Sequence, residues 1–90
     1  MLNTLESLFK LARERNSSPV DGSYTNKLLS DKSLSKAKVL EEINELIEAV
    51  EKDSNKIHEA ADVFYHLAMY LEVNNIKIED VMSELDKRKK

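Results

Sequence analysis

Glycine and proline are nearly absent from this chain, and that scarcity limits its possible folds more than any other feature. The sequence has 90 residues with one proline and one glycine, Pro19 and Gly22, which lie in the same short polar segment. Hairpin turns in β-sheets usually rely on glycine, asparagine or proline, whereas the leucine, glutamate, lysine and alanine that recur here favour helices. We therefore predict an all-α fold of four to five helices, with residues 1–90 forming one domain.

Apolar spacing and capping residues predict where the helices begin and end. Leucines recur every three or four residues near the start of the chain, as on one face of an amphipathic helix. The segment with the proline and the glycine is a loop, and Ser23 is the expected N-cap of a short helix after it. The predicted helices are 2–15, 24–29, 36–52, 56–73 and 79–87, with breaks at 30–33, 53–55 and 74–75.

Charge and cysteine content exclude several functional classes. Lys and Arg number 14 against 17 Asp and Glu, a net charge of −3, so the chain lacks the strong basic excess that non-specific nucleic-acid binding usually needs, and DNA or RNA is not an expected partner. It has no cysteine, so any metal must be held by oxygen or imidazole. Glu6, Lys10 and Arg13 interrupt the first apolar face, so neither a signal peptide nor a membrane span is predicted. We expect a cytoplasmic protein.

The two longest predicted helices each have a broad apolar face, which we expect to point into the core. On a helical wheel, the face of 36–52 contains Val39, Leu40, Ile43, Leu46, Ile47 and Val50. The face of 56–73 contains Ile57, Ala60, Ala61, Val63, Phe64, Leu67, Ala68 and Leu71. Together these faces exceed what one short helix hairpin can cover, so we expect a homodimer to complete the bundle. Candidates for the interface are Phe9, Phe64, Tyr65 and Tyr70, with the chain's own core as the alternative.

Acidic residues flank both apolar faces in the same arrangement. Glu42 and Glu45 lie one turn apart at the edge of the first face, and Glu59 and Asp62 lie one turn apart at the edge of the second. Two such pairs facing each other across a hairpin supply four oxygen ligands, the set that Mg²⁺ or Mn²⁺ prefers. Each pair alone is common on a solvated helix face, but both together predict a metal site. His66 extends the second strip, either as an imidazole at the core edge or as a group that supports the site.

These residues also carry a resemblance to a known family. Gly22-Ser23-Tyr24-Thr25, Glu41-Glu42-x-x-Glu45, Glu59-x-x-Asp62 and Tyr65-His66 together are similar to the phosphoribosyl-ATP pyrophosphohydrolases of histidine biosynthesis, within the MazG-like all-α nucleoside triphosphate pyrophosphohydrolases. The acidic pattern is common to the superfamily. The Gly-Ser-Tyr-Thr segment, together with the Ala-Ala-Asp-x-x-Tyr-His run at 60–66 and a length near 90 residues, narrows the match to the histidine pathway. Many stand-alone bacterial members have glycine where this chain has Leu40, and because Leu40 is expected to face the core, this difference should change packing and leave the ligands intact.

The resemblance implies Mg²⁺-dependent hydrolysis of phosphoribosyl-ATP to phosphoribosyl-AMP and pyrophosphate by a MazG-like dimeric bundle. It implies that the metal is bound by Glu42, Glu45, Glu59 and Asp62. The catalytic residues that it implies are Glu41, Glu42 and Glu45, with Glu41 either a further metal ligand or the base. A cyclohydrolase, which takes the product, is a candidate partner.

Candidate phosphate contacts come from basic residues and from the residues around the glycine. They are Lys38, Ser23, Tyr24 and Lys27. Lys38 has an ion pair with Glu41 as its alternative role, and helix capping alone would account for Ser23.

Two other functions stay open on the sequence. A MazG-like housecleaning enzyme would use the same acids on a non-standard nucleoside triphosphate, although the Gly-Ser-Tyr-Thr segment argues against it. A non-catalytic helical dimerisation module would keep the apolar faces and leave the acids in solvent. This module predicts that Glu45→Gln and Asp62→Asn leave the fold unharmed and that divalent cations are irrelevant.

Overall fold

The computed structural model describes residues 2–89, and within that range the chain forms five helices. These are α1 (Asn3–Ser17), α2 (Tyr24–Leu29), α3 (Lys32–Lys52), α4 (Lys56–Val73) and α5 (Ile78–Arg88). The all-α prediction is confirmed. The predicted bounds of α2 and α4 match the structure, and those of α1 and α5 differ by one or two residues.

Helix α3 begins four residues before its predicted start, and its N-cap explains why. The Asp31 side chain accepts a hydrogen bond from the Leu34 N–H at 3.0 Å, which satisfies one of the free donors of the first turn. Ser23 caps α2 in the same way, by accepting from the Asn26 N–H. Residues 30–33 contain several capping residues, and only the fold decides which of them is used.

A three-residue turn folds α4 back onto α3, and these two helices form the main hairpin of the molecule. Asp53 and Asn55 both adopt left-handed backbone conformations, with φ of 52° and 56°, which asparagine and aspartate tolerate better than most residues. The Ser54 N–H donates to the Ala49 carbonyl at 3.0 Å, which closes the end of α3. The turn therefore fixes the register in which the acidic residues of the two helices meet.

Helices α1 and α2 cover one face of this hairpin and form the core with it. The buried side chains that contact one another there are Ala12, Leu28, Leu29, Ala68, Met69 and Val73. Leu8, Phe9, Leu34 and Tyr65 are partly buried and pack against this cluster. Phe9 and Tyr65 thus take the intramolecular alternative predicted for them.

The opposite face of the hairpin is exposed. The prediction that both apolar arcs point into the core is confirmed for Val39 and Ala68, which are buried, and was wrong for the residues of this face. Leu40 is 54% exposed and Ile57 is 88% exposed. Other large apolar side chains on this face are also exposed, namely Ile43, Ile47, Val50 and Phe64. The error has a physical cause: the wheel identifies an apolar side but not what covers it, and α1 and α2 reach only the inner side. Leu40 therefore does not change the packing of the core.

Helix α5 lies at the periphery. No residue of α5, Ile78–Arg88, is buried, and the Arg13 guanidinium of α1 binds both oxygens of Glu79 at 2.6 and 2.8 Å. This bidentate ion pair lowers the pKa of the Glu79 carboxyl to about 2. Within residues 2–89, none of the helices combines the length and apolar content that a membrane span requires.

Leu28 tests the packing of the core, because its side chain is completely buried. We expect Leu28→Ala to lower the free energy of unfolding by about 2–5 kcal/mol, since it removes apolar contacts and leaves a cavity. Thermal or urea unfolding followed by circular dichroism at fixed protein concentration measures this loss. Leu85→Ala, at a side chain that is 48% exposed, is the control, and an equal loss in both variants would contradict the described core.

Candidate functional site

The structure brings the predicted acidic residues together between α3 and α4. Carboxylate oxygens of Glu42, Glu45 and Glu59 all lie within 4.8 Å of one another. Glu59 also belongs to a second group of the same size, with Asp62 and His58. The four predicted ligands thus form one continuous cluster in which Glu59 is the shared member.

Burial makes this cluster different from acids on a solvated helix face. Glu42 is 8% exposed, and its Oε2 and the Oε2 of Glu59 are buried without a hydrogen-bond partner within residues 2–89. Burial is the main cause that raises the pKa of the Glu42 carboxyl, and the hydrogen bond and negative charge of Glu45 raise it further. Burial, followed by the charges of Glu45 and Asp62, raises the pKa of Glu59 in the same direction.

A divalent cation fits this arrangement of donors. Buried carboxylate oxygens without donors are unfavourable, and like charges this close oppose one another. Hard oxygen donors from two sides of a hairpin are the chemistry that Mg²⁺ and Mn²⁺ bind. The residues that would hold such an ion are Glu42, Glu45, Glu59 and Asp62.

Replacing Glu42 with glutamine tests the charge repulsion without any metal. A carboxyl whose pKa is raised on folding contributes most stability below that pKa and loses it as pH rises through it. In EDTA at pH 7 we therefore expect Glu42→Gln to unfold at a higher temperature than the wild type, with the difference shrinking as pH falls toward 5. Thermal unfolding followed by circular dichroism across this pH range is the measurement.

Glu48→Gln is the matched control on the same helix. Its carboxylate pairs with Lys52, which lowers the pKa of Glu48, so its loss is not expected to raise the unfolding temperature. A Glu42→Gln protein less stable than the wild type at pH 7 in EDTA would contradict the account of the cluster.

His66 lies beside the cluster, but both of its ring nitrogens are used by the protein. Nδ1 lies 2.8 Å from the Asp62 backbone carbonyl, which can only accept, so Nδ1–H is the donor there. Nε2 then accepts from the Tyr24 hydroxyl at 3.0 Å. The ring is buried and packs edge-on against Tyr24 and Tyr65. His66 therefore fixes the position of Tyr24 and ties α2 to the acidic stretch of α4.

The predicted phosphate contacts fall into two places. Lys38 donates to Glu41 Oε2 at 3.2 Å, which is the ion pair named as its alternative role and which raises the pKa of Lys38. Ser23, Tyr24 and Lys27 instead line a cleft of about 700 Å³ next to α2. Burial raises the pKa of the Tyr24 hydroxyl, and the positive charge of Lys38 opposes that rise, so Tyr24 lies near Lys38 as well as in the cleft.

Glu41 lies outside both carboxylate groups within residues 2–89. Its side chain is about half exposed, with 51% of its surface accessible, and it pairs with Lys38. The structure therefore separates Glu41 from the other four acids of the predicted site.

Sequence reasoning missed two residues near these places. His58 Nε2 lies 3.3 Å from Asp62 Oδ2, and its position one turn before Asp62 on α4 was a readable signal. Arg15 lines the cleft beside α2. No local sequence pattern predicts this position, because it depends on how the loop after α1 folds back.

The chain is thus an all-α protein in which acids pair across a helix hairpin, beside a cleft that contains Arg15 and Lys27. The family model described as phosphoribosyl-ATP pyrophosphohydrolase matches residues 2–89. The chain belongs to this family.

Individual relatives agree with the family match. The chain is 44% identical over 89 residues to a phosphoribosyl-ATP pyrophosphatase of Clostridium acetobutylicum, covering 93% of this chain and 79% of that protein. It is 41% identical over 93 residues to one of Bacillus cereus, covering 98% and 85%. A histidine biosynthesis bifunctional protein HisIE of Pyrococcus furiosus is 39% identical over 90 residues, which are 99% of this chain and 43% of that protein.

Proposed function

We propose that this chain hydrolyses phosphoribosyl-ATP to phosphoribosyl-AMP and pyrophosphate, in the cytoplasm, with Mg²⁺ or Mn²⁺ held by the acidic cluster. The observation that carries this proposal is the cluster of Glu42, Glu45 and Glu59 between α3 and α4. Glu42 is buried, and the Oε2 atoms of Glu42 and Glu59 are buried without a hydrogen-bond partner within residues 2–89. Family membership supports the choice of substrate. The Gly-Ser-Tyr-Thr segment, placed beside the cluster by the bond between Tyr24 and His66, supports it over a housecleaning activity.

The residues of the chain divide the chemistry among them. Glu42, Glu45, Glu59 and Asp62 would hold the cation, which when bound would neutralise the charge of the triphosphate and orient it. Glu41, outside the cluster and exposed to solvent, takes the proton of the attacking water. Water oxygen bonds to phosphorus, the bridging P–O bond breaks, and pyrophosphate leaves. Lys38, held beside Glu41 at 3.2 Å, offers its ammonium to the phosphate oxygens that face solvent.

Replacing Glu45 tests the metal-dependent step. We expect Glu45→Gln to lower kcat/KM for phosphoribosyl-ATP by roughly 100-fold or more, because an amide is a poorer ligand for Mg²⁺ and leaves the charge of the substrate less well balanced. Pyrophosphate release with a titration of Mg²⁺ measures the loss. Glu48→Gln, one turn along α3, is the control and should keep wild-type turnover; undiminished activity in Glu45→Gln would refute the assignment.

The exposed apolar face of the hairpin supports a homodimer. Leu40, Ile43, Ile47 and Val50 follow one another at intervals of three and four residues, so they form one stripe along α3, and each is at least 39% exposed. Ile57 and Phe64 continue this outer face on α4. A second copy covers such a stripe by packing its own hairpin against it as a four-helix bundle. Phe64 then lies in the interface, whereas Phe9 and Tyr65 stay in the core of each chain.

A charge on this stripe should separate the two copies. We expect Ile47→Glu to shift the protein from dimer to monomer, since a carboxylate would be buried opposite its counterpart in the partner. Size-exclusion chromatography with light scattering gives the mass directly. Met82→Glu, at a side chain 46% exposed on α5, should stay dimeric. A wild type that is monomeric at micromolar concentration would rule out the dimer.

A cyclohydrolase that consumes phosphoribosyl-AMP is the proposed partner. In the bifunctional protein of Pyrococcus furiosus the matched region is 43% of the length, and in that of Caldanaerobacter subterraneus it is 45%. Those proteins therefore carry a further large region beside the matched one, which supports an association in trans for this chain.

A further inference from the structure

The cleft beside α2 contains Arg15 in addition to Lys27, and this second basic residue indicates a binding role for the cleft. The cleft, of about 700 Å³, lies between the end of α1, the loop 18–23 and α2, and its size is within the usual range of small-molecule sites. Its lining contains two cationic side chains, Arg15 and Lys27, and among the lining residues Asp21 is the one carboxylate. The cleft thus has a positive balance in a chain whose net charge is −3.

Arg15 differs from the other two arginines of the chain in its partners. Arg13 and Arg88 pair with Glu79 and Glu84, whereas the Arg15 guanidinium forms no ion pair within residues 2–89. Arg15 is partly buried, and its Nη1 donates to Ser23 Oγ at 3.1 Å. Because a guanidinium carries five N–H donors in a planar fork, most of them are left for a ligand.

The walls of the cleft are built by the protein without any ligand. The Asn26 Nδ2 amide donates to the Arg15 carbonyl at 2.8 Å, and the Val20 N–H donates to Asn26 Oδ1 at 2.9 Å. Gly22 supplies a backbone φ of +77° in the same loop, where other residues would be strained. Asn26 thereby fixes the loop against α1 and holds Arg15 at the cleft.

The cleft and the acidic cluster adjoin each other at one side chain. Tyr24 lines the cleft, and its hydroxyl binds His66, which in turn donates to the Asp62 backbone. These bonds place the cleft and the cluster on neighbouring elements, α2 and α4, so a ligand with separate negative groups is the kind of occupant that suits both. Phosphoribosyl-ATP is such a ligand, since it carries a triphosphate at one end and a single ribose 5′-phosphate at the other.

We propose that Arg15, assisted by Lys27, binds the 5′-phosphate of the phosphoribosyl group while the triphosphate lies at the acidic cluster. A guanidinium meets two phosphate oxygens at once, which gives direction as well as charge. This inference rests on the proposed function, and it makes Arg15 the residue that distinguishes phosphoribosyl-ATP from ATP.

Steady-state kinetics of Arg15→Gln with phosphoribosyl-ATP and with ATP test the proposal. We expect KM for phosphoribosyl-ATP to rise roughly 10- to 100-fold, the cost of a lost charge-assisted hydrogen bond, with a much smaller change in kcat and none in the KM for ATP. For Arg15→Lys, which keeps the charge, we expect a KM for phosphoribosyl-ATP between those of the wild type and Arg15→Gln. Arg88→Gln, at a surface arginine of α5, is the control. An unchanged KM, or an equal loss for both nucleotides, overturns the proposal, since the latter shows that Arg15 acts on the fold.

Titration with ribose 5-phosphate separates this inference from the proposed function. The wild type should show saturable shifts of the backbone amide signals of 20–27 in NMR spectra, and Arg15→Gln should lose them. If the wild type hydrolyses neither nucleotide, the proposed function fails while these shifts still support the cleft as a phosphate site. If the wild type shows no shifts, or if Arg15→Gln keeps them, the site assigned to Arg15 is refuted whatever the turnover.

Discussion

The close approach of carboxylates between α3 and α4 is the constraint on which the rest of this structure depends. Glu42, Glu45 and Glu59 bring their oxygens within 4.8 Å of one another at a partly buried place. Charged groups are unfavourable in such surroundings. Burial and the neighbouring negative charges accordingly raise the pKa values of Glu42 and Glu59. A hairpin that holds these groups together supports the proposal that a divalent cation binds between α3 and α4.

The surrounding elements keep this unfavourable arrangement in place. The turn at 53–55 sets the register of the two helices, and α1 and α2 bury Leu28 and Met69 against their inner side. Tyr24 and His66 connect α2 to the acidic stretch of α4 through a hydrogen bond of 3.0 Å. The apolar core thus offsets the repulsion within the cluster. Functional sites commonly lower the stability of the fold in this way.

Local patterns allowed much of the structure to be predicted. Helix propensity and capping residues give the five helices, because both act within a few residues of chain. The spacing of Glu42 with Glu45 and of Glu59 with Asp62 also predicts the acidic cluster, since neighbours on adjacent turns must share a face. The identity of the metal ligands in solution is a further step that stays a prediction.

The remaining features depend on contacts between distant parts of the chain. The sequence marks Leu40 and Ile47 as apolar, but whether a helix or solvent lies over them is decided by where α1 and α2 pack. Arg15 reaches Ser23 only because the loop folds back, and Asn26 holds the loop there by hydrogen bonds to the Arg15 carbonyl and the Val20 N–H. Periodicity within one helix carries no information on such contacts.

Binding of Mn²⁺ is the most direct measurement of whether the acidic cluster is a metal site. Paramagnetic Mn²⁺ broadens amide signals in NMR spectra according to distance, so a titration at substoichiometric metal locates the ion on the chain. Broadening centred on 42–45 and 59–62, and absent after Glu45→Gln with Glu59→Gln, is the predicted result. Broadening centred elsewhere, such as at the exposed acids of α5, or unchanged in the double variant, would contradict the site described for this pyrophosphohydrolase family member.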